Sequence, residues 1–124
     1  MEKSEIIVEA EFCLPTGQQE TIYQTMAELA QKRKEKQPLE YPSAGSTFKR
    51  PEGYFAGKLI MDAGLAGFSV GGASVSRKHC GFVINEQQAT AKDVMELVEQ
   101  VKKIVWEKYQ VQLELEVRTV GEFV

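Results

Sequence analysis

Few of the residues that build metal or thiol chemistry are available in this chain. Its 124 residues include one histidine and two cysteines, so a multi-histidine metal site is impossible and no CxxC pair exists to hold an ion. Metal dependence is not expected. Cys13 and Cys80 read as two free thiols, although sequence alone leaves a bridge between them open. No apolar run approaches the roughly 20 residues that span a bilayer. Met1-Glu2-Lys3-Ser4-Glu5 lacks the basic start and apolar stretch of a signal peptide. A large charge of either sign is missing too: the net charge of −3 gives neither a nucleic-acid footprint nor attraction to a membrane. The one basic run, Lys32-Arg33-Lys34 with Lys36, is broken by Glu35 and reads as a solvated helix face.

What is present is enough for one folded domain over residues 1–124, with 43% apolar and 27% charged residues. Ile6, Val8, Ala10, Phe12 and Leu14 alternate with Glu5, Ile7, Glu9, Glu11 and Cys13. That period of two predicts a half-buried strand, ended by Pro15-Thr16-Gly17. Ile22, Met26, Leu29 and Ala30 recur at helical spacing over 18–36, and Pro38 closes that helix. Residues 38–51 are rich in Pro, Ser and Gly and carry neither period. A short helix is expected over 55–63, with Leu59 and Ile60 inward and Gly64 as its stop. Residues 68–75 and 81–85 read as short strands.

The clearest helix lies over 90–108. Thr90 and Asp93 fit a capping box, and Val94, Leu97, Val98, Val101, Ile104 and Val105 form one apolar stripe, read as core packing. Val111, Leu113, Leu115 and Val117 then alternate with Gln112, Glu114, Glu116 and Arg118. This predicts a last half-buried strand with Glu116 and Arg118 on one outer face. The order of elements predicts an α+β two-layer sandwich, a mostly antiparallel sheet covered by helices.

Three places could carry chemistry. Gly45-Ser46 lies in the aperiodic loop, where a glycine permits a tight turn and close approach of a ligand, with Lys49 and Arg50 nearby to meet an anion. The same pair also reads as a plain turn, and the loop lacks the spacing of a phosphate-cradling GxxxxGK[ST] motif. Glu116 and Arg118 could clamp an anionic, proton-exchanging substrate, or could simply be a charged outer surface. His79 could act on a ligand or serve as a structural histidine. These features alone define a possible anion-binding polar face and no reaction.

The loop Tyr41-Pro42-Ser43-Ala44-Gly45-Ser46-Thr47-Phe48-Lys49-Arg50-Pro51 resembles the PSxGSxFKRP signature of bacterial UDP-N-acetylenolpyruvoylglucosamine reductases (MurB). Further blocks agree in order and spacing: Ala56-Gly57-Lys58-Leu59-Ile60 with Ala63-Gly64-Leu65 and Val70-Gly71-Gly72-Ala73, then Val75-Ser76 with Lys78-His79, Gly81-Phe82 and Asn85. The last is Glu116-Val117-Arg118, followed by Gly121. The resemblance covers about Pro38 to the C-terminus, and it implies the C-terminal, substrate-binding domain of such an enzyme. Lack of a tyrosine-bearing insertion between the central blocks implies the shorter, type II branch. Cys80 stands where the family usually has a small residue such as alanine.

The reaction implied is the NADPH-dependent reduction of the enolpyruvyl ether of UDP-N-acetylglucosamine, an early cytoplasmic step of peptidoglycan synthesis. Reduced FAD delivers hydride to the vinyl carbon, and the neighbouring carbon, which gathers enolate character, is then protonated. By resemblance Ser46 is the proton donor, and Glu116 is the catalytic acid that stabilises the enolate, a role that asks for burial beneath substrate. Arg50, His79 and Arg118 fall at positions near the anionic groups of the substrate, with Lys49 and Lys58 as further candidates. The N-terminal FAD-binding domain, with the flavin site and the family's catalytic arginine, is not in this sequence. The chain is therefore expected to be an excised or naturally truncated domain that binds neither FAD nor NADPH and turns nothing over by itself. The alternative is a free-standing module that binds UDP-sugars without redox activity.

Overall fold

A computed structural model describes residues 6–121, which fall into two compact units that meet between residues 31 and 32 of the chain. In the first unit residues 6–18 form no strand, and Ile6, Val8, Phe12 and Leu14 are 78–93% exposed. The half-buried strand predicted there does not form; Glu5, its first residue, lies outside the described residues. Alternation decides which face of a strand would be buried. The strand itself exists only when a neighbour takes up its backbone N–H and C=O groups, and no described strand does so.

Helix α1, Gln19–Lys36, forms as its spacing predicts, but none of its residues is buried. Ile22, Met26 and Leu29 stand exposed on it. Its last turn carries Arg33, Lys34 and Lys36, cations that suit the negative end of the helix dipole, and the basic run is solvated.

The second unit holds a four-stranded antiparallel sheet of β1 (Ser43–Ser46), β2 (Ser69–Val70), β3 (Ala73–Val75) and β4 (Phe82–Asn85), in the spatial order β1-β4-β3-β2. Helices α2 (Ala56–Asp62) and α3 (Ala91–Tyr109) pack on each other, and α3 also packs on β2 and β3. The predicted α+β architecture is thus present. Two of its details differ. Residues 68–75 are not one strand but a hairpin, because Gly71 at φ +53° turns the chain and sets Val70 opposite Ala73. The stretch 38–51, read as irregular, contributes β1.

The core is what the apolar stripe of α3 predicts. Leu97, Val98, Val101 and Val105 have no accessible surface, while Val94 and Ile104 are half-buried against the same cluster. Each fully buried aliphatic side chain contributes roughly 1.5–3 kcal/mol relative to exposure. Leu59 and Ile60 of α2 close the cluster, as expected. At Gly64 the helix stops in a Schellman turn: Leu65 N–H donates to Ile60 C=O at 3.1 Å and Gly64 N–H to Met61 C=O at 2.9 Å. Thr90 and Asp93 do form the capping box, with Asp93 N–H donating to Thr90 Oγ1 at 3.1 Å and Thr90 N–H to Asp93 Oδ2 at 2.9 Å. Hydrogen bonding to the carboxyl, from the Thr90 N–H first and the Thr90 side chain second, holds Asp93 below its ordinary value of 3.8.

The last predicted strand also needs correction. Residues 111–117 make a single antiparallel bridge, Leu115 with Phe48, and no ladder. The burial alternation survives, with Leu113 at 1% exposure and Leu115 half-buried while Glu114, Glu116 and Arg118 face outward. Pairing stops because the facing segment reaches Pro51 within three residues of the bridge, and proline has no N–H to continue it. Both cysteines are free, Cys13 exposed and Cys80 buried.

Candidate active site

Thr47 fixes the backbone on which the candidate proton donor sits. Its N–H donates to Gly81 C=O at 2.8 Å, its hydroxyl accepts the Val83 N–H at 2.9 Å, and its C=O accepts the Glu116 N–H at 3.0 Å. One buried residue is therefore tied to β4 on one side and to the C-terminal segment on the other, and Ser46, its neighbour, ends β1 opposite Phe82. Gly45 just before it adopts φ +84°, the left-handed conformation that glycine supplies without steric cost. Replacing Thr47 by valine keeps the shape but strips the acceptor from a buried N–H. The Thr47→Val domain is expected to lose about 1–3 kcal/mol in urea unfolding; equal midpoints for the two proteins would show that the hydroxyl is not used.

Ser46 opens onto a cleft of about 400 Å³ that brings together four of the predicted site residues: Ser46, Arg50, Lys58 and His79. Phe48, Phe55, Met61 and Cys80 supply its apolar surface, and Arg77 and Lys78 add two more cations. Lys49 is not among the lining residues: it pairs with Glu114 at 3.2 Å and lines a separate pocket with Gln112. Glu116 and Arg118 do not line the cleft either. Both are exposed, and the side chains of both make no ion pair or hydrogen bond among the described residues. Glu116 is nevertheless near in the fold, since its backbone meets Thr47 next to Ser46. The burial that an acid at Glu116 asks for is not given by the described residues.

The histidine has a defined role in the wall. His79 Nδ1 accepts the Gly81 N–H at 3.1 Å, which leaves the ring proton on Nε2 as a donor, and the ring meets Phe82 edge-on at 4.9 Å. Gly57 lets α2 start close beside it, because a Cβ there would come within 3.2 Å of His79 Cε1 and 3.1 Å of the Gly81 nitrogen. The cations around the cleft are mostly committed. Lys58 pairs with Asp62 at 2.7 Å, and Arg77 donates to Ala66 C=O at 3.2 Å. Lys78 pairs with Glu40 at 2.9 Å, a bond that holds the Glu40 carboxyl below its usual 4.5. Arg50 instead lies over the ring of Phe55, with Cζ 4.1 Å from its centroid. Burial pushes the Cys80 thiol up, so it stays protonated and unreactive.

Sequence reading had not singled out Arg77, Lys78 or Phe55 as part of this site. Arg77 and Lys78 directly precede His79, and that adjacency was a usable signal. Nothing periodic marked Phe55. Among the described residues no cluster of three or more His, Cys, Asp or Glu side chains could hold a metal. No helix there is long and apolar enough to cross a membrane. The cleft is the size of a site for one small ligand.

Comparison with known proteins agrees with the geometry. The family model for UDP-N-acetylenolpyruvoylglucosamine reductase, C-terminal domain, matches residues 37–120. A UDP-N-acetylenolpyruvoylglucosamine reductase of Lachnoclostridium phytofermentans is 65% identical over 97% of this chain and 39% of its own length. One from Caldanaerobacter subterraneus is 58% identical over 98% of this chain and 40% of its own. The crystal structure of UDP-N-acetylenolpyruvylglucosamine reductase (MurB) from Thermus caldophilus superposes with a TM-score of 0.60 at 43% identity, covering 78% of this chain and 34% of that one. The chain thus spans about two fifths of the length of the curated relatives it matches, 39–40%. With the loop, the cleft and the family match in agreement, this chain belongs to the family of UDP-N-acetylenolpyruvoylglucosamine reductase C-terminal domains.

Proposed function

We propose that this chain is the substrate-binding and proton-donating part of a type II, cytoplasmic UDP-N-acetylenolpyruvoylglucosamine reductase whose flavin-binding part lies outside it. The observation that carries this reading is the convergence of Ser46, Arg50, Lys58 and His79 on one cleft, within a loop that matches the family signature. The cleft is cationic at its rim and apolar in its wall, which suits a nucleotide sugar with an enolpyruvyl carboxylate. In the complete enzyme a bound FAD, reduced by NADPH, would supply the hydride. The residues of this chain would do the rest. Arg50 and His79 hold anionic groups of the substrate, with Arg118, Lys58 and Lys49 as further contacts. Glu116, covered once substrate lies over it, supports the enolate, and Ser46 Oγ gives its proton to the carbon next to the carboxylate. Apolar residues exposed along 6–29 support the reading that more of the protein packs here in the complete enzyme.

Two measurements test this. The isolated chain should show no flavin absorbance, no NADPH oxidation, and only weak binding of UDP-N-acetylglucosamine by calorimetry, since part of the pocket is supplied elsewhere. The complete reductase carrying this domain should convert the enolpyruvyl substrate to UDP-N-acetylmuramate with NADPH. Turnover by the isolated chain, or none by the complete protein, would remove the proposal.

A further inference from the structure

We propose that Phe55 is a positioning residue that holds Arg50 flat and uncommitted over the cleft, ready for an oxyanion of the substrate; this rests on the reading above, in which Arg50 meets such a group. The inference starts from how the cations differ. Lys58 is neutralised by Asp62, Lys78 by Glu40, and Lys49 by Glu114, while Arg77 donates to Ala66 C=O. Arg50 alone among these has neither an ion pair nor a hydrogen bond among the described residues; it lies over the Phe55 ring, 4.1 Å from the centroid. Both side chains line the cleft of Ser46.

The chemistry of that stack explains its use. A carboxylate beneath Arg50 would also restrain it, but it would cancel the charge and occupy the forked N–H donors. An aromatic face attracts the guanidinium through its quadrupole and leaves every N–H at the edge of the plane free for two-point contact with an oxyanion. Phe55 is otherwise out of place. It occupies the N-cap position of α2, where Ser, Thr, Asp or Asn would bind the free amides of the first turn, and it makes no such bond. Phe55 is 60% exposed, so core packing does not account for it. A residue that breaks two local preferences at a cleft wall is serving something else there.

The test compares the complete reductase carrying this domain as wild type, Phe55→Leu, Phe55→Trp, Arg50→Ala and the Phe55→Leu/Arg50→Ala double variant. Loss of the stack should raise KM for the enolpyruvyl substrate about two- to fivefold and leave kcat little changed. Phe55→Trp should restore the wild-type KM. Once Arg50 is alanine, Phe55→Leu should add nothing further. An unchanged KM in Phe55→Leu, or a full additional rise in the double variant, overturns the proposal. If the wild-type reductase does not reduce this substrate, it is the functional reading that fails, and the stack is judged on the 124-residue chain alone. There the Arg50 Nε–H resonance, shielded by the ring current, should move downfield in Phe55→Leu. A resonance that stays put overturns the stack itself.

Discussion

Replacing Ser46 by alanine in the complete reductase is expected to slow product formation by roughly 10²–10⁴-fold, the usual worth of a positioned proton donor, while reduction by NADPH proceeds as before. The two half-reactions separate the claim cleanly. Hydride arriving at the vinyl carbon leaves the adjacent carbon electron-rich, and the product forms only when that carbon gains a proton. A serine hydroxyl is a weak acid, suited to a strongly basic carbanion and to little else. Ser46→Ala removes one oxygen from an exposed position at the end of β1 and leaves Thr47, with its three hydrogen bonds, in place. The fold and KM should therefore be nearly unaffected. Stopped-flow measurement of substrate-dependent reoxidation is the direct check. Reoxidation at the wild-type rate would take Ser46 out of the mechanism.

The largest stability effect is expected at Gly72, far from the cleft. A Cβ there would fall on the carbonyl oxygen of Gln87 and 2.6 Å from the amide nitrogen of Ala89, both backbone atoms that cannot swing away. The same glycine accepts the N–H groups of Glu86 at 2.9 Å and Gln87 at 3.0 Å, so moving the loop aside would also break two hydrogen bonds. Gly72→Ala should cost about 3 kcal/mol or more and lower Tm by more than about 10 °C. A melting curve within a few degrees of wild type would show that the turn has slack that the structure does not reveal.

How much of this was legible beforehand depends on where the partner of each residue lies. Helix α3 was readable because its cap and its stripe are local: Thr90 meets Asp93 three residues on, and the apolar positions recur by turns. Residues 6–14 and 111–117 show the opposite case. Their alternation is real, yet pairing is decided elsewhere, by the lack of a neighbour in one case and by Pro51 in the other. Strand β1 went unread because Pro42, Gly45 and two serines hide a segment that pairs only through β4, and irregularly at that. For the site, physics on the bare sequence reached an anion-binding face, and the family signature supplied the roles. The gathering of Ser46, Arg50, Lys58 and His79 follows from α2 starting beside Gly81, a contact between segments more than twenty residues apart. Phe55 could not be found at all without the distance to Arg50.

The ties at Thr47 also set an order of assembly. Two come from Gly81 and Val83, and the third from Glu116, well beyond both. During synthesis, which proceeds from the N-terminus, the serine loop gains its ties to β4 once residue 83 has emerged and its tie to the C-terminal segment only once residue 116 has. A chain that stops short of residue 116 would hold the Ser46 loop by β4 alone. Full anchoring of the serine loop is thereby confined to chains translated past residue 116.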